Sequence, residues 1–316
     1  MADNLFWMGR YLARAEHTAR VLDVQLDMAL DRAPEEARKR WSRVLDTLSL
    51  ELDPDDLLDN YRIVQKVTFD AQQLSSLRGS VRAARENARQ IRELISSEMW
   101  EMLNRLYLGV EETRKNRRWI EEPHAFFREV KQQIHLFCGV TDSTMTRGQG
   151  WQFITAGRSI ERAQAVSSLL RVTLAPSLDS HEPMVDEYLE LVATLRSCTA
   201  FEAFCKVHSA DLRPDPIAEF LLKNGGFPHS VRFSVETLCQ ALAAIAAETG
   251  VSASDFEHLA RRTRASLEFR PLSEILERGL GSFLSWIESN LHEVHAGIYN
   301  VYISNPLRLA QEWEIG

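Results

Sequence analysis

Glycine and proline are scarce in this sequence. Its 14 glycines and 10 prolines make up about 8% of the 316 residues, whereas the combined average in soluble proteins is roughly 12%. Both residues mark obligatory turns, so their scarcity disfavours β-sandwiches, β-barrels and disordered linkers and favours long helices. The four cysteines contain no CxxC pair, which argues against a cysteine-rich zinc site and a disulfide framework. We interpret them as reduced thiols of a cytoplasmic protein.

Long apolar runs and an excess of basic residues are also missing. The best apolar stretch, residues 238–247, is about half as long as a membrane span requires. The first residues lack the apolar region and the cleavage site of a secretory signal. The 37 Lys and Arg are outnumbered by 45 Asp and Glu, for a net charge of −8, which disfavours non-specific nucleic-acid binding. We expect a soluble cytoplasmic protein that binds neither nucleic acid nor membrane.

Apolar residues recur every three or four positions along most of the chain, and strand-like alternation never persists. This pattern, with proline and aspartate at helix starts, predicts an all-α helical bundle. The expected helices cover residues 3–31, 34–50, a segment beginning at 53–54, 76–108, 123–140, 151–173, 184–196, 199–208, 215–224, 229–249, 254–267 and 272–303, with a turn-rich connection at 141–150.

An internal repeat relates the start of the chain to its middle. Residues 9–16 (GRYLARAE) match residues 157–164 (GRSIERAQ), and a weaker match in the same order pairs residues 76–81 with 230–235. Repeated segments in the same order indicate duplication. We predict one domain, residues 1–316, made of two related halves, 1–147 and 148–316. A pseudo-two-fold relation between them would bring the two repeated helices together.

Each repeated segment carries two arginines one helical turn apart, where like charges repel and therefore need partners. Two guanidiniums on one ridge can hold a carboxylate or phosphate. One interpretation is an anion site between the halves, oriented by Glu16 and Glu161. The alternative is an internal Arg–Glu network that ties the helices together. The four residues are Arg10, Arg14, Arg158 and Arg162.

Other candidate sites are weaker. Arg85, Glu86 and Asn87 lie on one predicted helix, and Asn, a poor helix former, needs partners if it is buried. His292 and His295 are three residues apart, unlike the histidines of HExxH, so we predict a surface pair and no metal site. We find no serine nucleophile motif, and the residues alone leave any reaction open.

The chain resembles the bacterial Alpha-E domain family, also known as DUF403. The resemblance is carried, in the family's order, by residues 4–24, 81–107, 150–172 and 227–235 and covers essentially the whole chain. The sequence departs from the family pattern at residues 74–76, where Asn-Pro-Ser-Ser is usual, and at His229, where Arg is usual. The resemblance implies an α-helical fold. The motif residues of the family correspond here to Trp7, Gly9, Arg10, Arg14, Glu16, Arg85, Glu86, Asn87, Glu98, Trp100, Gly157, Arg158, Glu161 and Arg162.

The resemblance also implies a genetic association with a circularly permuted ATP-grasp amide ligase and often with a transglutaminase-like peptidase. The leading hypothesis is an accessory subunit of that ligase that helps to bind an amino-acid or peptide carboxylate. ATP and Mg²⁺ would then belong to the partner, and this chain would need no cofactor. The alternatives are a stand-alone enzyme of amide chemistry, with Glu16, Glu86 or Glu161 as general acid or base, and a purely structural, dimeric helical scaffold.

Overall fold

The computed structural model describes residues 1–28, 34–52, 59–70, 72–180, 187–208, 212–251 and 255–304. Over these ranges the chain is helical and contains no strand, so the all-α prediction is confirmed. The helices are α1 (Ala2–Met28), α2 (Pro34–Leu48), α3 (Asn60–Phe69), α4 (Leu77–Gln90), α5 (Ser97–Asn116), α6 (Arg118–Glu121), α7 (Pro123–Thr144), α8 (Gln149–Thr173), α9 (Ala175–Ser180), α10 (Glu187–Ser197), α11 (Phe201–Val207), α12 (Pro214–Lys223), α13 (Val231–Thr249), α14 (Asp255–Phe269), α15 (Leu272–Arg278) and α16 (Leu280–Ile298), followed by a π-helical turn, Tyr299–Ile303.

Two helices that we predicted as continuous are each broken in two. The predicted helix 76–108 is divided into α4 and α5, because Ser96 caps a new helix by accepting a hydrogen bond from the backbone of Met99. The predicted helix 272–303 is divided at Gly279, whose φ of 93° is incompatible with a continuous helix. The helix start predicted at residues 53–54 lies outside the described residues, and α3 begins after the capping residue Asp59.

Four long helices in each half of the chain pack in a closed ring. In the first half α1 contacts α4, α4 contacts α5, α5 contacts α7, and α7 returns to α1. In the second half the same ring is formed by α8, α13, α14 and α16. The two rings meet where α1 packs against α8, and α2 also reaches α8 while α10 reaches α1. A single cluster of buried apolar side chains runs through both rings.

Local details recur between the halves. Ser76 and Ser230 each cap a helix, α4 and α13, and each hydroxyl also donates a hydrogen bond to the carbonyl six residues earlier. Ser49 and Thr199, which follow α2 and α10, both have a left-handed backbone, with φ of 53° and 52°. These matches agree with the predicted duplication. A two-fold relation between the complete halves, and their boundary at residue 147, stay predictions.

None of the described helices is long and apolar enough to cross a membrane. All four cysteines are free thiols. Burial raises the pKa of Cys198 to about 12 and that of Cys239 to about 11, so both thiols are protonated and unreactive near neutral pH.

Candidate functional site

The two repeated segments meet where α1 crosses α8, and a glycine from each makes the crossing close. A β-carbon on Gly9 would lie 2.4 Å from the carbonyl oxygen of Ile154, and one on Gly157 would lie 2.1 Å from that of Phe6. Ile154 precedes Gly157 by three residues, as Phe6 precedes Gly9, so the two contacts are reciprocal. The glycines therefore permit backbone contact that any larger residue would prevent.

On one side of this crossing two arginines share one carboxylate. Arg10 Nε donates to Glu161 Oε2 at 2.7 Å, while Arg14 donates from Nε to Oε1 at 2.5 Å and from its terminal nitrogen to Oε2 at 3.0 Å. Arg10 and Glu161 are buried, and Arg14 is half-buried. Burial alone would raise the pKa of Glu161, but the two guanidiniums lower it below its ordinary value. The cluster therefore carries one net positive charge near neutral pH.

Arg10 is held by further contacts from the last long helix and from α8. Its terminal nitrogens donate to Nδ1 of His295 and to Oε1 of Gln164, both at 2.8 Å. Its guanidinium also lies 5.0 Å from the ring centroid of Trp7. Because arginine only donates, Nδ1 of His295 must accept, which requires a neutral ring. Burial and the charge of Arg10 lower the pKa of His295 to about 4, in agreement with that assignment.

A polar cleft of about 290 Å³ opens beside this cluster. Arg10, Arg14 and Glu161 line it together with Arg171 and Glu288, which form a loose ion pair at 3.4 Å. Three arginines thus face two carboxylates, so the net charge of the wall is positive. The rest of the lining is rich in hydroxyl groups, contributed by Thr18, Thr47, Ser49, Ser75 and Ser168.

On the other side of the crossing Glu16 is surrounded by cations and histidines. Its Oε1 accepts from Arg20 at 2.6 Å and lies 3.0 Å from Nε2 of His135, while Arg162 and His229 lie 3.8 and 3.9 Å from the carboxylate. Burial opposes ionisation, but these groups keep the pKa of Glu16 well below its ordinary value. The space left here is about 10 Å³, room for about one water molecule.

His17 separates the open cleft from the closed cavity and lines both. Burial and the charge of Arg20 lower its pKa to about 4, so its ring is neutral at neutral pH. Its Nε2 is shielded from solvent and has no hydrogen-bond partner among the described residues.

Three of the four repeated arginines therefore occupy two separate clusters, and the structure does not bring all four together in one anion site. Arg10 and Arg14 face the open cleft, whereas Arg162 faces the closed cavity. Arg158 lies one helical turn before Arg162, near the thiol of Cys138, and has no hydrogen bond or ion pair within the described ranges. Glu16 and Glu161 are ionised and paired, which makes them weak general bases near neutral pH.

The candidates on α4 form a separate group. Arg85 donates to Oδ1 of Asn104 at 2.8 Å and stacks on Trp100 and Tyr107 of α5. Glu86 pairs with Arg89 at the surface, 2.6 Å away, and this hydrogen bond lowers its pKa. Asn87 is half-buried. No described contact joins these three residues to the arginines of α1 or α8.

One histidine behaves differently from the sequence-based expectation. We predicted His292 and His295 as a surface pair; His292 is exposed, but His295 contacts Arg10, which is 285 residues away in sequence. His229, at a position where the family usually has Arg, faces Glu16, and burial keeps its pKa well below the ordinary value. Within the described ranges, no three His, Cys, Asp or Glu residues are grouped to hold a metal ion.

The sequence model of the Alpha-E family, described as a predicted alpha-helical domain with a conserved ER motif, matches residues 1–303. Uncharacterized proteins of Mycobacterium bovis and of two Mycobacterium tuberculosis strains are each 23% identical to the chain over 328 aligned positions, which cover 97% of this chain and 36% of the relative. The chain thus spans about a third of the length of these relatives. No solved structure matches the chain.

The sequence contains two Glu-Arg pairs, at residues 161–162 and 277–278. Glu277 and Arg278 are exposed, whereas Glu161 and Arg162 lie at the α1–α8 crossing and face opposite clusters. Of the two pairs, the one at residues 161–162 is therefore the pair that lies in the candidate site.

Proposed function

Because the chain belongs to the Alpha-E family, we propose that it is an accessory subunit of an ATP-grasp-type amide ligase and that its open cleft holds a carboxylate of the amino-acid or peptide substrate. The proposal takes the ligase association from the sequence resemblance and the binding role from the cleft. ATP and Mg²⁺ would be bound by the ligase, and a transglutaminase-like peptidase would be a further partner of the same system.

The observation that carries the binding role is the unbalanced charge of the cleft. Arg10 and Arg14 share the single carboxylate of Glu161, and the nearby Arg171 is balanced by Glu288. One positive charge is therefore left for a ligand. Arg14 is the residue placed to use it, because only two of its three nitrogens face Glu161 and its side chain is 24% exposed.

The proposal is tested by reconstitution with an ATP-grasp ligase of the kind that the resemblance associates with the family. ADP release and amide product are measured for the ligase alone, for this chain alone and for the two together. We expect product formation to need the ligase and to increase when this chain is added. If the chain changes neither the rate nor the product, the accessory role is wrong; if the chain alone forms the amide, it is an enzyme in its own right.

The variant Arg14→Gln tests the cleft within that assay. Removing one guanidinium neutralises the cleft, so we expect the KM for the carboxylate substrate to rise about tenfold, the effect of losing one charge-assisted hydrogen bond. Arg10 still pairs with Glu161, so the fold should be kept. The matched control is Arg147→Gln, which removes an exposed arginine paired with Asp142 away from the cleft.

A structural scaffold is the second candidate, because the cluster around Glu16 is closed and internally paired. The same variants separate the two roles. A scaffold predicts that Arg14→Gln lowers the melting temperature and leaves the KM unchanged, whereas a binding site predicts the reverse.

A further inference from the structure

The open cleft and the closed cavity are built from corresponding residues. When α1 is aligned with α8 through the repeated segments, Arg14 of the cleft corresponds to Arg162 of the cavity. Outside these helices, Thr47 of the cleft corresponds to Ser197 of the cavity. Each stands two residues before a residue with a left-handed backbone, which is Ser49 after α2 and Thr199 after α10. Every residue that lines the closed cavity has a counterpart that lines the open cleft in this alignment. The two spaces are therefore two versions of one site.

Larger side chains on one side explain the difference in size. In the alignment of α1 with α8, Arg20 of the closed cavity corresponds to Ser168 of the cleft. His229 of the cavity corresponds to Ser75 of the cleft, because His229 immediately precedes the serine that caps α13 and Ser75 immediately precedes the serine that caps α4. The exchange of two serines for an arginine and a histidine accompanies a fall in volume from about 290 Å³ to about 10 Å³. The closed version is filled by the protein's own side chains.

What fills the closed cavity is a carboxylate paired with a cation. The Glu16 carboxylate accepts a hydrogen bond from the Arg20 guanidinium at 2.6 Å and faces Arg162. In the cleft the counterparts of Glu16 and Arg20 are the neutral residues Gln164 and Ser168. The cleft therefore has no carboxylate and no cation at these two positions. Its arginine, Arg14, pairs instead with Glu161, whose counterpart in the closed cavity is Ala13. A carboxylate beside a cation is the charged end of a free α-amino acid.

The cleft also retains one net positive charge after its own ion pairs are counted. The charged end of an amino acid is neutral overall and leaves this charge unbalanced. A side-chain carboxylate on the ligand would neutralise it, and Arg171 at the cleft wall is placed for such a group because its pairing with Glu288 is loose, at 3.4 Å.

We propose that the open cleft binds a free acidic α-amino acid, with its α-carboxylate at Arg14 in the position that Glu16 takes in the closed cavity, its ammonium group near Ser168, and its side-chain carboxylate toward Arg171. This inference names the substrate class of the site described above and so rests on the proposed function. The ligand takes the place of a pair of side chains that the second version of the site provides internally.

The test is isothermal titration of the full chain, without the ligase, at neutral pH and low salt. The probes are L-glutamate and L-aspartate, with L-glutamine, N-acetyl-L-glutamate and inorganic phosphate for comparison. We expect saturable binding of at least one acidic amino acid, and binding weaker by about tenfold or more when the side-chain charge or the ammonium group is removed. Saturation by neither acidic amino acid, equal binding of the N-acetyl compound, or tighter binding of phosphate would each overturn the inference.

Variants that convert the cleft toward the closed version provide a second test. Gln164→Glu supplies an internal carboxylate of nearly the same shape beside Arg10, and we expect it to abolish L-glutamate binding while the melting temperature stays the same or rises. Ser168→Arg should also abolish binding by filling the cleft. Gln132→Glu makes the same change on the exposed surface of α7 and should bind as the wild type does. Unchanged binding by Gln164→Glu would contradict the proposed position of the carboxylate.

The outcomes for the ligand and for the ligase role are distinguishable. If the acidic amino acids do not bind but this chain still increases amide formation by the ligase, the inference is wrong and the accessory role stands. If they bind but the chain leaves the ligase unaffected, the cleft is a receptor for the amino acid and the accessory role is wrong.

Discussion

The close crossing of α1 and α8 makes Gly157→Ala the most direct test of the architecture. A β-carbon at this position would lie 2.1 Å from the carbonyl oxygen of Phe6 and 3.0 Å from its carbonyl carbon. Ordinary contacts begin near 3.4 Å, so the two helices must separate by about 1 Å. The obstacle is backbone, which cannot rotate away as a flexible side chain can.

The magnitude follows from two opposing effects. Overpacking costs about 1–3 kcal/mol, and a clash with backbone belongs at the upper end. Alanine favours the helix over glycine by about 1 kcal/mol, which partly offsets this cost. We therefore expect Gly157→Ala to lower the free energy of unfolding by about 2 kcal/mol. Separation of the helices also lengthens the hydrogen bonds of Arg10 and Arg14 to Glu161, now 2.7 and 2.5 Å.

The assay is denaturant unfolding followed by far-ultraviolet circular dichroism. Gly139→Ala is the matched control, because it lies in α7 and no heavy atom would come within 4 Å of its β-carbon. That substitution should stabilise the protein by up to about 1 kcal/mol. If Gly157→Ala is as stable as Gly139→Ala, the helices do not cross as closely as described and the reasoning fails.

Three further predictions concern charge, pH and capping. Glu161→Gln leaves buried Arg10 without a countercharge and should lower the free energy of unfolding, measured in denaturant, by about 3–5 kcal/mol. The control Glu86→Gln breaks an exposed ion pair and should change it by less than about 1 kcal/mol. Equal effects would contradict the idea that burial makes the Glu161 charge important. The pKa of His17 is lowered from 6.5 to about 4, so protonation of its ring favours the unfolded state. The contribution of His17 to the free energy of unfolding should be full above pH 6.5 and should decrease as the pH falls from 6.5 toward 4. His17→Gln should make the melting temperature fall less steeply over this range, with the remaining slope due to His295 and His229, whose pKa values are also lowered. A slope equal to that of the wild type would contradict a role for His17. Ser230→Ala and Ser76→Ala each remove a helix cap and a hydrogen bond to the preceding turn, so each should cost about 1–2 kcal/mol in the same unfolding assay; a large cost for only one would argue against their equivalence.

Most helices were predictable because their signals are local. Apolar spacing and first-turn prolines located α1, α2, α7 and α8 to within a few residues. The breaks before Ser97 and at Gly279 were missed, because apolar periodicity continues on both sides of each break. A serine followed by a carboxylate is the signal that indicates the first break, since Ser96 precedes Glu98 and caps the helix.

The candidate site was predictable only in part. The repeat identified Gly9, Gly157 and the arginines beside them, because duplicated residues are visible in the sequence itself. It did not indicate that these arginines separate into two clusters, or that Ser75 and Ser168 would line a cleft. These residues come from helices that are far apart in sequence, and no spacing rule connects them.

The sequence alone thus determined the helical class, the family, the repeated motif and the net charge, because each depends on residue identity and local spacing. Only the tertiary structure decided which cations have partners. Arg10 and Arg14 share one carboxylate beside an open space, while Glu16 is enclosed by Arg20 and two histidines. Charge balance and cavity size depend on how side chains from helices far apart in sequence fill a common volume. The distances between those side chains are set by the tertiary packing and not by local sequence.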